Sequence, residues 1–205
     1  MSRGSLFIVS GPSGTGKGTV CSELIKCENI FLSISATTRN MRVGEKEGVT
    51  YFYTTEEKFK KMISDGQMLE YASYNGNYYG TPKKAVEDML EAGKNVILEI
   101  EVQGALKVKG KMPEAILIFV VPPSIAELKK RLIYRGREDR DEIKRRIGEA
   151  SREFSQLPKY NYVVVNDELQ RCVNEVLDII NATNEKQRII ERLLNELKES
   201  VNYDD

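Results

Sequence analysis

Nine consecutive residues, Gly11-Pro12-Ser13-Gly14-Thr15-Gly16-Lys17-Gly18-Thr19, have the types and spacing to hold a phosphate. Glycines let the backbone curl until successive N–H groups point at one anion. A helix starting where the loop ends adds partial positive charge. Lys17 adds a flexible full charge that reaches the β and γ oxygens of a triphosphate. The common form of this loop places Ser or Thr directly after the lysine, where the hydroxyl helps hold magnesium. Here Gly18 stands there and Thr19 follows, so the sequence predicts no direct protein ligand to a metal.

Three further groups could act on the same chemistry. Arg39 and Arg42 lie three apart in a polar stretch; such a pair suits a dianionic phosphate, although two solvated loop arginines read the same in isolation. Glu99 and Glu101 end an apolar run. A carboxylate there is placed to orient a metal beside a phosphate loop; the plainer reading is a charge emerging from a core strand. Residues 131–152 hold seven arginines, Arg135 and Arg146 among them, mixed with acids. That is ordinarily a solvated helical face, but arginines on a moving flap also neutralise charge on a transferred phosphoryl group. Gly136 and Gly148 disfavour one rigid helix there. The chain has no histidine, which excludes Ser-His-Asp and Cys-His catalysis, histidine bases and most zinc sites.

The elements that position these groups alternate. Residues 5–10, 31–34, 95–101, 115–121 and 160–165 read as five buried, parallel-type strands, each followed in turn by helical stretches. The alternation predicts a doubly wound α/β fold. The first helix is expected over Val20–Cys27. Thr54 or Thr55 caps a helix that Gly66 ends, Leu69–Tyr79 reads as a hairpin turning at Asn75-Gly76, and Pro82 opens a helix that Gly93 closes. Residues 36–92 are thus a small mixed insertion over the carboxyl ends of the strands, where α/β proteins bind ligands. Beyond Glu185 the pattern Ile189, Ile190, Leu193, Leu194, Leu197 continues helically, so this tail docks on its own chain or on a second copy.

With 205 residues, 31 basic and 31 acidic, the chain is sized for one compact unit and carries no net charge. That argues against a general binder of nucleic acid or membrane surface. No apolar run approaches membrane-spanning length, the start leaves no room for a signal peptide, and Cys21, Cys27 and Cys172 form no Cys-x-x-Cys pair. A reduced cytoplasmic protein is expected.

Along nearly the whole chain, from about Ser5 to Ile180, the motifs are similar in order to those of the guanylate kinase family of nucleoside-monophosphate kinases. They are Gly11–Thr19; Ser35-Ala36-Thr37-Thr38-Arg39 with Arg42-Val43-Gly44-Glu45; Tyr51-Phe52; Leu69-Glu70-Tyr71; Tyr78-Tyr79-Gly80-Thr81; Glu99-Ile100-Glu101-Val102-Gln103-Gly104; Arg135-Gly136; and Val165-Asn166-Asp167. The resemblance implies a three-layer α/β P-loop fold in one domain. Its core is about 1–35, 93–130 and 155–184, with a GMP-binding insertion at about 36–92, a helical lid at about 131–154 and a tail at about 185–205. It implies phosphoryl transfer from ATP to GMP with Mg2+. Arg39, Arg42, Tyr51 and Tyr79 would hold the GMP phosphate, and Ser35, Glu70 and Thr81 would read guanine. Gly11 to Thr19 would cradle ATP, Arg135 and Arg146 would close from the lid, and Asn166 would lie near adenine. The family often has Asp at the positions of Glu99 and Glu101, and Glu99 would meet the metal through water. Relatives of this family that only bind phosphopeptides, and kinases for other monophosphates, are the rival readings.

Overall fold

The computed structural model describes residues 3–74, 76–134 and 140–201. In chain order the elements are β1 (Leu6–Ser10), α1 (Lys17–Leu24), β2 (Ile30–Leu32), β3 (Ala36–Thr37), β4 (Phe52–Tyr53), α2 (Glu56–Ser64), β5 (Met68–Tyr74), β6 (Asn77–Pro82), α3 (Lys83–Glu91), β7 (Asn95–Glu99), α4 (Val102–Lys111), β8 (Ile116–Val121), α5 (Ile125–Tyr134), α6 (Arg140–Phe154), β9 (Tyr162–Val165) and α7 (Leu169–Val201).

Five strands form a parallel sheet in the order β2-β7-β1-β8-β9. Alternate side chains of β1 explain the layering. Phe7 and Val9 point to one face, where Val20, Leu24 and Val176 of α1 and α7 cover them. Leu6 and Ile8 point to the other, against Val86, Leu90 and Val108 of α3 and α4. A sheet buried on both faces needs continuous apolar strands, which is why these runs are legible in the sequence.

The insertion folds into a second sheet, β4-β3-β6-β5, in which β3 runs parallel to β4 while β6 is antiparallel to both β3 and β5. Its own small core is Ala36, Phe59 and Met68. Lys111 of α4 ties it to the main body by donating to the Leu69 carbonyl at 2.6 Å.

Several boundaries differ from the sequence expectation. The first helix begins at Lys17, not Val20, because Gly16 takes a left-handed φ of 85° and serves as its N-cap. The strand ends at Glu99, so Glu101 becomes the N-cap residue of α4. Pro82 closes β6 and caps α3 from outside, with the helix opening at Lys83. The fifth parallel strand begins at Tyr162, after a short 3-10 turn over Leu157–Lys159. Thr55 is the cap of α2, accepting from the Lys58 N–H at 3.2 Å. The tail is the unbroken continuation of α7. Of the expected hairpin turn, Gly76 has a φ of 75° and Asn75 lies outside the described residues.

Candidate active site

The phosphate loop leaves the carboxyl end of β1 at the middle of the sheet. Gly11, Gly14 and Gly16 have φ of 147°, 89° and 85°, which side chains resist. At Gly11 a Cβ would also lie 2.3 Å from the Val120 carbonyl oxygen. Two side chains hold the curl: the buried Thr15 hydroxyl donates to the Pro12 carbonyl at 3.0 Å, and the Asn166 amide donates to the Thr15 carbonyl at 2.8 Å. Asn166, which the resemblance sets near adenine, directs its side-chain NH2 to the loop backbone, and its main-chain carbonyl accepts from Arg131 at 3.0 Å.

Lys17 opens onto a cavity of about 470 Å3 shared by both sheets. Ser35, Arg39, Arg42, Tyr51, Glu70, Tyr79, Glu99 and Glu101 all line it; Thr81 stands behind Glu70. On the side of the second sheet Arg39 is nearly enclosed, its side chain 13% exposed, and bonds Glu45 at 2.7 Å and the Asn40 carbonyl at 2.7 Å. Its guanidinium carbon lies 5.5 Å from the centre of the Tyr51 ring, and Tyr51 meets Tyr79 edge-on at 6.0 Å. Glu45 accepts from three donors: Arg39, the Arg42 backbone N–H at 2.7 Å and the Tyr53 hydroxyl at 2.7 Å. The Arg39 bond, then the backbone and Tyr53 bonds, hold its carboxyl down at about 2.

Glu70 is the buried acid of the cavity, 6% exposed. Its Oε1 accepts from the Thr81 hydroxyl at 2.8 Å, its cross-strand partner. Burial raises its pKa, while the Thr81 bond and the Lys107 charge pull the other way. Gly104 backs it so closely that a Cβ there would sit 3.0 Å from Glu70 Oε2. Glu99 is the exposed end of an otherwise buried strand and its pKa is raised by desolvation, opposed by Lys17.

On the other side of the loop a smaller crevice, about 250 Å3, separates it from α6. Arg146 reaches across to donate to the Ser13 hydroxyl at 3.1 Å. Glu153 faces the same crevice with one buried oxygen lacking a hydrogen-bond partner among the described residues. Desolvation pushes its carboxyl up to about 7, with Lys17 lowering it and Glu101 and Glu149 raising it. Arg135 lies outside the described residues. Thr19 is exposed, and Pro12 and Gly18 complete the loop.

Sequence reasoning gave no role to Glu45, Gly104 or Glu153. Gly104, a glycine inside a helix, was a readable sign of close approach; the two acids owe their character to tertiary neighbours that no local pattern announces.

A glycine loop whose lysine opens onto a cavity also lined by two arginines and a buried carboxylate is the arrangement expected of a P-loop kinase acting on a nucleoside monophosphate. The family model for guanylate kinase matches residues 3–183, and the chain belongs to the guanylate kinase family. It is 52% identical over 199 residues to a guanylate kinase of Clostridium perfringens, covering 97% of this chain and 91% of that one. With a guanylate kinase of Oceanobacillus iheyensis it shares 51% over 189 residues, 92% of each chain. A crystal structure of guanylate kinase from Anaplasma phagocytophilum superposes with a TM-score of 0.71 at 34% identity, over 89% of this chain and 87% of that chain.

Proposed function

We propose that the glycine loop holds ATP and the shared cavity holds GMP, with the γ-phosphoryl group passing between Lys17 and Arg39. The activity, ATP-dependent phosphorylation of GMP, goes with family membership; neither a silent binding module nor another monophosphate kinase is favoured. The observation that carries the residue assignment is the buried carboxylate of Glu70 beside the Thr81 hydroxyl. The Watson–Crick edge of guanine presents two adjacent donors, N1–H and the exocyclic amine, which one carboxylate accepts together. Adenine presents an acceptor at N1, which that carboxylate repels. Ser35 is within the same wall for the remaining polar edge.

Arg39 and Arg42, with the hydroxyls of Tyr51 and Tyr79, take the GMP phosphate. The attacking atom is already an anionic phosphate oxygen, so no histidine or other strong base is required. The barrier is repulsion between two anions. Backbone N–H groups of residues 11–19, Lys17 and the arginines offset it, Arg146 from the lid side with Arg135 joining. Mg2+ bound with ATP supplies further charge neutralisation. Glu99 fits a water-mediated role toward it: its carboxylate stands beside the helix start and Lys17, without direct loop ligands. In this reading 36–92 and 131–154 close over both substrates and exclude water. Among the described residues no helix is long and apolar enough to cross a membrane, and the three cysteines are free; a cytoplasmic location suits both.

A coupled ADP-release assay with GMP, dGMP, AMP, UMP and IMP as acceptors tests the reading. GMP and dGMP turn over fastest, and IMP, which keeps N1–H but lacks the amine, falls between them and AMP. AMP turnover equal to GMP removes Glu70 from base selection.

A further inference from the structure

Gly18 has no backbone reason to be glycine. It sits in the first turn of α1 with ordinary helical geometry, unlike Gly11, Gly14 and Gly16. Glycine there is a poor helix former, and it displaces the hydroxyl residue usual after the loop lysine. What surrounds the position gives the reason. A Cβ on Gly18 would lie 3.2 Å from Glu99 Oε1, 3.6 Å from Oε2 and 3.8 Å from the carboxyl carbon. All three near atoms belong to one carboxylate. Glu99 arrives from β7, directly paired with Val9 of β1, the strand that feeds the loop.

We infer that Gly18 and Glu99 are a size-matched pair: the missing side chain at 18 is the clearance that lets a glutamate reach the start of α1 beside Lys17. Gly18 is then a positioning residue, and Glu99, not Glu101, is the acid that orients the metal of bound ATP. The clearance puts a carboxylate at the helix start, where a hydroxyl would otherwise stand. Glu101 is the N-cap of α4, two residues beyond the strand end, and no glycine of the loop is crowded by it. This rests on the reading of Gly11–Thr19 as the ATP cradle.

The pair predicts an asymmetry. The obstructed atoms are the far end of a flexible side chain, so a methyl at 18 moves the carboxylate without breaking the fold. Gly18→Ala should melt at or above the wild-type temperature, since alanine favours the helix. In the same protein the affinity of the enzyme–ATP complex for Mn2+, read from the free-ion electron paramagnetic resonance signal, should fall about tenfold. With the acid shortened by one methylene, in Glu99→Asp, adding Gly18→Ala should change Mn2+ affinity by less than about twofold, because the shorter side chain no longer reaches the methyl. Gly18→Ser combined with Glu99→Asp should recover affinity relative to Glu99→Asp alone. Glu101→Gln should weaken Mn2+ less than Glu99→Gln.

Equal losses from Gly18→Ala in the Glu99 and Asp backgrounds overturn the pairing, as does a Gly18→Ala protein that fails to fold or binds Mn2+ normally. A larger loss from Glu101→Gln than from Glu99→Gln overturns the assignment of the acid. Calorimetry of wild-type protein with metal-free ATP checks the cradle separately. No binding there overturns the cradle and this inference with it; binding without the predicted coupling overturns this inference alone.

Discussion

In the proposed reading, main-chain N–H groups meet the anion at the donor end, in a loop shaped by glycines whose φ values reach 147° and pinned by Thr15 and Asn166. At the acceptor end the same reading gives it to side chains: Arg39, bonded to Glu45 and packed on Tyr51, and Arg42, whose backbone N–H is held by Glu45. Main-chain donors need no ordering when the ligand arrives, but they tie binding to the fold itself. Side-chain donors sit on the loop between β3 and β4 of the small second sheet, outside the main core. The difference teaches where function and stability are coupled in this molecule: tightly around β1, loosely in the insertion.

The largest effect should come from Lys17, the cationic side chain of the loop itself. Lys17→Ala leaves the loop's backbone intact and should fold normally, yet lose kcat by roughly a thousandfold. Steady-state turnover with a melting curve on the same sample checks both halves. A loss of less than tenfold breaks the proposed charge balance between Lys17 and the arginines.

Gly11→Ala sharpens the comparison from the other direction. Its Cβ has a backbone carbonyl oxygen in its way at 2.3 Å and a φ that L-residues avoid, so a destabilisation of about 3 kcal/mol is expected. Arg39→Ala, by contrast, should weaken GMP binding while leaving the denaturation midpoint nearly unchanged. If the two variants lose stability equally, the separation of the two ends is wrong.

The same contrast governs what the sequence could show. The loop, the lysine and the five apolar strands are local patterns, and a central parallel sheet follows from their alternation with helices. The second sheet is a different matter. Its order, β4-β3-β6-β5, joins residues 36 and 80 across an antiparallel pair and puts 36 beside 52 in a parallel one. Two-residue strands carry no periodicity, so only long-range pairing specifies them. The arginines were legible as charges, whereas the three-donor grip of Glu45 that orients Arg39 depends on Tyr53 folding back over it. Asn166 was legible through resemblance, but not its bond to Thr15, which spans 151 positions.

Within the acceptor end, Glu70→Gln is a test of orientation. The amide replaces one accepting oxygen with a donor, which faces the donor edge of guanine. The KM for GMP should rise about a hundredfold while the KM for ATP holds within about twofold. Equal changes in both would mean that Glu70 supports closure of the whole cavity and not the base.

The smallest effect probes the crevice between the loop and α6. Glu153 has a carboxyl raised from 4.5 to about 7, first by desolvation, then by Glu101 and Glu149 against the opposing charge of Lys17; Arg145 and Arg146 share the crevice. Between those two values the folded protein holds a proton that the unfolded chain has released. Its contribution to stability is therefore complete below about 4.5 and is lost as pH rises through about 7. Glu153→Gln removes this penalty. It should be close to neutral at pH 5 and stabilising by about 1 kcal/mol at pH 8, a figure reduced for solvent screening of a partly exposed group. Urea denaturation of both proteins at the two pH values measures it. Stability at the donor end would then answer to pH through Glu153. Glu45, already ionised down to about 2, should itself contribute no change over the same range, and a pH response from Glu45→Gln equal to that of Glu153→Gln would erase the distinction between the two acids.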